Sequence, residues 1–296
     1  MKIFKSLKSG FFRSIKSRQG VLIVWFCFLI LVSVFVIPLR GSLNAAFGTS
    51  MITDKLDEGF NLEVFTDLGS TFKTIMSFIT SGFIFVLIIG FIINSFLTGG
   101  LFNSLKKDAS GFSVPEFFRT GAKYFWSFLN ISLIITLIIN FLLVIIIGVP
   151  LIIISISETI TESSAFIVGI AAVLVFLFFL PVFFLVADYA RAWKVSNENR
   201  SCFRAIGFGF RQTFSKFWSS YLMMLILTLC QLLFGLLILC ILQAWKPITV
   251  GGVLMLLIIS QFLLYSRLLI KTWRYASVTS LMEYNMEIKS RKNQRV

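Results

Sequence analysis

The sequence predicts an all-α, polytopic membrane protein: six transmembrane helices forming three parallel repeats, each an interfacial amphipathic helix followed by a two-span hairpin. Three observations predict it. The chain is 57% hydrophobic and only 14% charged over 296 residues, with a mean hydropathy of +0.93. That is more apolar surface than a soluble core of this size can bury. Residues 118–137, FRTGAKYFWSFLNISLIITL, recur at 210–229 as FRQTFSKFWSSYLMMLILTL, with nine identities in twenty positions at an offset of 92 and no gap. Such a match marks an internal repeat. Finally, the net charge of +14 alternates in sign over the first four crossings, basic over 1–20, acidic over 40–73, basic over 99–123, acidic over 151–164 and basic over 188–216, and it is strongly basic again from 271, with only Lys246 in the turn between spans five and six. This positive-inside pattern places both termini and the basic loops in the cytoplasm, and it accounts for the charge without nucleic acid as a partner.

Taken in order, residues 1–20 set Phe4, Leu7, Phe11 and Ile15 at helical spacing among lysines and Arg13, which predicts a basic amphipathic helix on the inner surface. The apolar run 21–39 is longer than a signal-peptide core and long enough to span, so it is the first transmembrane helix. Residues 40–73 form the long external loop with Asp54, Asp57, Glu58, Glu63 and Asp67. They lack the alternating oxygen ligands and central Gly of a calcium loop, which makes them an acidic solvated segment.

The second span covers about 74–97 and ends at Gly99-Gly100. Ser113-Val114-Pro115-Glu116 reads as a capping box that starts the second elbow helix. That helix feeds a third span over 124–149, which Pro150 closes. The fourth span covers 165–187, and Pro181 inside it frees a carbonyl that a neighbour must satisfy. Phe203, Ile206, Phe210, Phe214 and Phe217 then repeat the elbow at steps of three and four, ahead of the fifth span over 217–242 and the sixth over 250–270. The basic tail starts as one more surface helix. Spans four and six end alike, in Tyr189-Ala190 and Tyr275-Ala276, and Phe12-Arg13 echoes Phe118-Arg119 and Phe210-Arg211. The whole is one membrane domain, 1–296, with repeat units at about 1–100, 101–195 and 196–296.

Little chemistry is written in these residues. His is absent and four cysteines, Cys27, Cys202, Cys230 and Cys240, have neither disulfide nor metal spacing, so no cofactor or metal site is predicted. No acid lies deep in a span, and no Ser-Lys or paired-acid arrangement suits intramembrane hydrolysis, so the reading is not an enzyme. Candidate residues fall into three groups. Arg13, Arg119, Lys123, Arg204 and Arg211, with Trp126 and Trp218, are placed for lipid headgroups and the interface. Asp188, Arg191 and Arg274 form an inner-face polar cluster. Asn140, Gln231 and Gln261 are the residues that would line an intramembrane polar path, although such groups more often bond neighbouring helices.

GGLFNSLKKDASGFSVPEFFRTGAKYFW, the DYAR end of span four and the FR/FWS elbow together resemble a broad group of poorly characterised six-span bacterial membrane proteins. That group includes the membrane region fused to some glycerophosphodiester phosphodiesterases. The resemblance implies a location in the bacterial inner (plasma) membrane and a structural or transport-related role, and it carries over no catalytic residue. The expectation is a scaffold, lipid-organising element or assembly subunit. Its partners would be membrane lipids, above all anionic headgroups of the cytoplasmic leaflet, and a protein partner or second copy. The alternative is a permease or channel-like protein for a neutral or amphiphilic solute.

Overall fold

The computed structural model describes residues 2–47, 69–106, 112–157, 161–245 and 249–293. It is all helical, with no strand among the described residues. The elements are α1 (Lys2–Lys16), α2 (Arg18–Phe47), α3 (Gly69–Ser104), α4 (Val114–Leu143), a π-helical turn (Val144–Gly148), α5 (Val149–Ile156), α6 (Glu162–Ser196), α7 (Cys202–Ser215), α8 (Phe217–Ala244) and α9 (Val250–Asn293). Six helical segments are long and apolar enough to cross a membrane: one each in α2, α3, α6, α8 and α9, and the continuous run of α4, the π turn and α5. Most of residues 40–73, which the sequence reading makes an external loop, lies outside the described residues with its five acids, as do Glu158, Lys246 and Pro247.

Several boundaries differ from expectation, each for a physical reason. Helix α4 starts at Val114 with Ser113 as its extended N-cap and Pro115 in the first turn, but the Ser113 side chain makes no capping bond. Glu116, the other half of the expected box, accepts instead from Asn103 Nδ2 at 3.4 Å. Pro150 does not close the third span. The π turn over Val144–Gly148 absorbs one extra residue per turn, and Pro150 then lies in the first turn of α5, where its missing donor costs little. The tail is no separate surface helix, because α9 runs on without a break to Asn293. Gly99 and Gly100 lie inside α3 rather than ending it, whereas Gly252 sits at a helix start, its N–H donating to Thr249 Oγ1 at 3.2 Å.

Contacts divide the chain into two units, Met1–Leu22 with Ser95–Val296 and Ile23–Asn94. Within the smaller unit, Phe35 stacks on Phe78 at 6.0 Å, and its ring occupies the place a Cβ at Gly82 would take. In the larger unit, the packed core gathers between the C-terminal halves of α6 and α9 and the N-terminal halves of α4 and α8. Phe102, Phe128, Leu185, Tyr189, Met223, Tyr275 and Met282 are buried there in one cluster, and Ile3 and Leu7 of α1 pack against it. A second cluster joins Ile131 and Ile135 of α4 to Val186 and Ala190 of α6 and Ala205 of α7. Away from this end the helices are little buried; the most apolar window of the Val114–Ile156 run has no buried residue.

Two close crossings hold the short helices α1 and α7 against long ones, and a third joins α3 to α4. A Cβ at Gly209 of α7 would stand 2.5 Å from the Val186 carbonyl of α6, one at Gly10 of α1 would stand 2.6 Å from the Ser277 nitrogen of α9, and one at Gly100 of α3 would stand 2.7 Å from the Phe117 carbonyl of α4. Only a residue without Cβ lets the backbones come this near. Pro181 in α6 supplies no N–H to the preceding turn. Tyr221 of α8 donates to the Phe178 carbonyl there at 3.2 Å, next to the carbonyl that loses its partner.

Gly209→Ala is therefore expected to lower stability by about 1–3 kcal/mol through overpacking. Gly207→Ala, where a Cβ meets open space, is expected to raise it by about 0.5–1 kcal/mol through helix propensity. Thermal unfolding of the two variants in detergent checks the opposite signs.

Candidate functional site

The polar centre of the larger unit is built on the last turns of α6. Asp188 and Arg191 are three residues apart, hence on one face of the helix, and Arg191 Nη1 donates to Asp188 Oδ1 at 3.2 Å. The other carboxylate oxygen, Oδ2, faces Arg274 of α9, whose Nε is 3.0 Å away without the alignment of a hydrogen bond. Arg191 Nη2 reaches across to Ser132 Oγ of α4 at 2.8 Å, and Arg274 Nη1 reaches Gln231 Oε1 of α8 at 3.4 Å. Four helices thus meet at one carboxylate and two guanidiniums. Asp188 is fully buried and Arg274 nearly so, and the guanidinium of Arg274 lies over the rings of Phe184 and Tyr275, 5.2 and 5.1 Å from their centroids. Delocalised charge on an aromatic face tolerates such burial better than an ammonium would. Beside the cluster, the hydroxyls of Tyr189 and Ser220 meet at 3.0 Å, both buried.

The cluster also extends along α8. Gln231 lies 13 residues beyond Trp218, about 20 Å at the rise of an α-helix, and Arg274, read from the sequence as an inner-face residue, reaches it there.

Around this centre further polar contacts fasten the helices and turns. Arg13 of α1 donates to Glu283 Oε2 of α9 at 2.8 Å and to the Leu105 carbonyl at 3.1 Å. Glu198, in the turn after α6, accepts from Lys123 at 2.5 Å and from Tyr124 Oη at 2.8 Å. Those hydrogen bonds, Lys123 first, hold its carboxyl below the ordinary glutamate value, and the nearby positive charge acts in the same direction. Burial lowers the Lys106 ammonium, against the pull of Glu198. Lys194 donates to the Glu198 and Arg200 carbonyls, which closes the C-terminal turn of α6.

The three groups of sequence candidates have different fates. Arg119, Arg204 and Arg211 are exposed, and Trp126 and Trp218 are each 70% exposed. Arg13 and Lys123 are engaged in the ion pairs above. Asp188, Arg191 and Arg274 do come together. The polar-path residues are dispersed: Gln231 is taken up by Arg274, Gln261 is half-buried in α9, and Asn140 is exposed on α4 with no hydrogen bond to any described residue for its side chain. Glu198 and Glu283 were not singled out, since a lone charge carries no local sign of a partner some 75 or 270 residues away; Tyr124, an interface ring beside Trp126 by sequence, also donates to Glu198.

Chemically, a carboxylate between two guanidiniums suits electrostatic fastening. Arg cannot serve as a base, and Ser132 faces a donor rather than a proton acceptor. Among the described residues no three metal-ligating side chains gather. A separate groove of about 440 Å³ lies between the π turn, α5 and the start of α6, lined by apolar residues including Ile147, Leu151, Phe166 and Val173. Compared with known proteins, the chain matches no family model, no curated protein and no solved structure.

Removing one partner of the buried cluster leaves an uncompensated charge. Asp188→Leu and Arg274→Met are each expected to cost about 3–5 kcal/mol, and the two together less than the sum. Chemical unfolding in detergent measures this as a double-mutant cycle. Glu198, with its folded value depressed, contributes stability at neutral pH that is lost as pH falls through that value. The stability difference between wild type and Glu198→Gln is expected to close on acidification below the ordinary glutamate range, read by unfolding midpoints across pH.

Proposed function

We propose that the protein is a non-enzymatic scaffold or assembly subunit of a bacterial inner membrane, with both termini and its basic elbows on the cytoplasmic side. In this reading it has three parallel repeats. Each basic amphipathic elbow packs on the end of an inward span: the start of α4 on α3, α7 on α6, and α1 on α9. The close approaches at Gly100, Gly209 and Gly10 support this packing. The elbows turn Phe12, Phe118, Phe203 and Phe214 outward beside Arg119, Arg204 and Arg211. Such a rim of aromatic and cationic side chains suits acyl chains and anionic headgroups.

One observation carries the scaffold reading over a permease. The ionic groups are bound to one another within a packed cluster of Phe, Tyr, Leu and Met, and Gln231 is drawn into that fastening. A solute path would need those groups turned toward a passage.

Purification in native-lipid discs followed by mass spectrometry tests it. An anionic phospholipid is expected to be enriched, and its affinity to fall about a hundredfold when Arg119, Arg204 and Arg211 are all changed to Gln, at about 1 kcal/mol for each charge. Equal lipid content in the variant, or solute flux through liposomes carrying the wild type, would overturn the reading. Cysteines introduced at Asp57 and Glu158 are expected to label from outside the cell. Labelling of both only from the cytoplasm would reverse the topology.

A further inference from the structure

Helix α4 has two faces of opposite character. Phe128, Ile131 and Ile135 are buried against the rest of the larger unit. On the other side run Trp126, Asn130, Leu133, Leu137 and Asn140, continued by Val144 at the start of the π turn, all exposed. Their spacing alternates four, three, four, three, four, which is the seam along which two helices pack with a left-handed crossing.

Two of the six are amides in a segment apolar enough to span a membrane, and neither Asn130 nor Asn140 makes a side-chain hydrogen bond to a described residue. Asn140 lies 14 residues past Trp126, about 21 Å along the helix, where lipid offers no hydrogen bond. Serines and threonines on other spans meet the same problem through their own helix, as Ser33 does at the Leu29 carbonyl and Thr80 at the Met76 carbonyl.

We propose that this face is covered by the same face of a second copy, with Asn140 paired to Asn140 across a two-fold axis along the membrane normal. The inference rests on the membrane-spanning reading of α4 and names the partner for the proposed assembly subunit. Three points favour a second copy as the occupant. A carboxamide is donor and acceptor at once, so it complements itself. Two copies inserted with one topology have parallel α4 helices, so each asparagine meets its own counterpart at equal depth. A polar residue at such a seam position selects register and pairing, and interhelical amide bonds in membranes favour association.

The test uses the full chain, with its four native cysteines replaced, in native membranes. Single cysteines at Asn140 and at Leu133 are expected to form a disulfide between chains under mild oxidation, giving a band of twice the mass. Leu237→Cys, exposed on α8, is expected not to. In liposomes at graded dilution, single-molecule photobleaching should show a dimer that Asn140→Leu weakens about tenfold and Asn140→Gln retains. Monomers at every density, equal dimerisation of Asn140→Leu and wild type, or cross-linking from Leu237 as strong as from Asn140 would each overturn the proposal. Lipid enrichment without a cross-link at 140 defeats this inference alone. A cross-link without any enriched lipid or protein defeats only the scaffold reading.

Discussion

The carboxylate of Asp188 is the point on which the larger unit depends. A buried acid requires compensation, and here it comes from Arg191 on the same helix and Arg274 on α9. Each guanidinium has donors left over, which commits Ser132 on α4 and Gln231 on α8 in turn. A single charge therefore draws four helices to one place. The rings of Phe184 and Tyr275 let the second guanidinium remain there. In lipid, where apolar side chains gain little by leaving one membrane helix for another, such polar contacts and close backbone crossings are what hold helices together.

The distribution of packing follows. Tyr189, Tyr275, Phe102 and Met282 fill the space around the ionic cluster, and the short helices are pressed on by crossings at Gly10 and Gly209. Further along, the long helices present Leu, Ile, Val and Phe to their surroundings. The stability of this end is thus specific, built from charge, hydrogen bonds and contact without Cβ atoms, while the apolar lengths of the spans are matched to a solvent rather than to each other. The reading as a membrane scaffold takes its force from that contrast: the groups able to do chemistry are occupied in holding helices.

How much was legible in the sequence depended on range. The six spans could be read from hydropathy because the requirement for about 20 apolar residues is local, and Asp188, Arg191 and Arg274 could be grouped because spans four and six end in the same dipeptide. What depended on distant partners was hidden. Glu116 sits where a capping box wants it but bonds Asn103, Lys123 and Arg13 meet Glu198 and Glu283 rather than remaining free, and Gln231 answers Arg274 instead of facing a path. Pro150 misled because a π turn can move a proline into a position that spares the helix. Gly99 and Gly100 misled because a glycine needed for close approach looks the same in sequence as one that ends a helix.

The central claim is that the Asp188 cluster and the crossings around it carry the mechanical stability of the fold, with the spans held weakly beyond it. Extraction of single molecules from a bilayer by force, pulling from the C-terminal end, tests this directly. The account predicts one dominant rupture as α9 is drawn out through residues 272–282, when Arg274 leaves Asp188 and α1 loses its support. A series of equal force peaks, one for each hairpin and none greater at that segment, would contradict it.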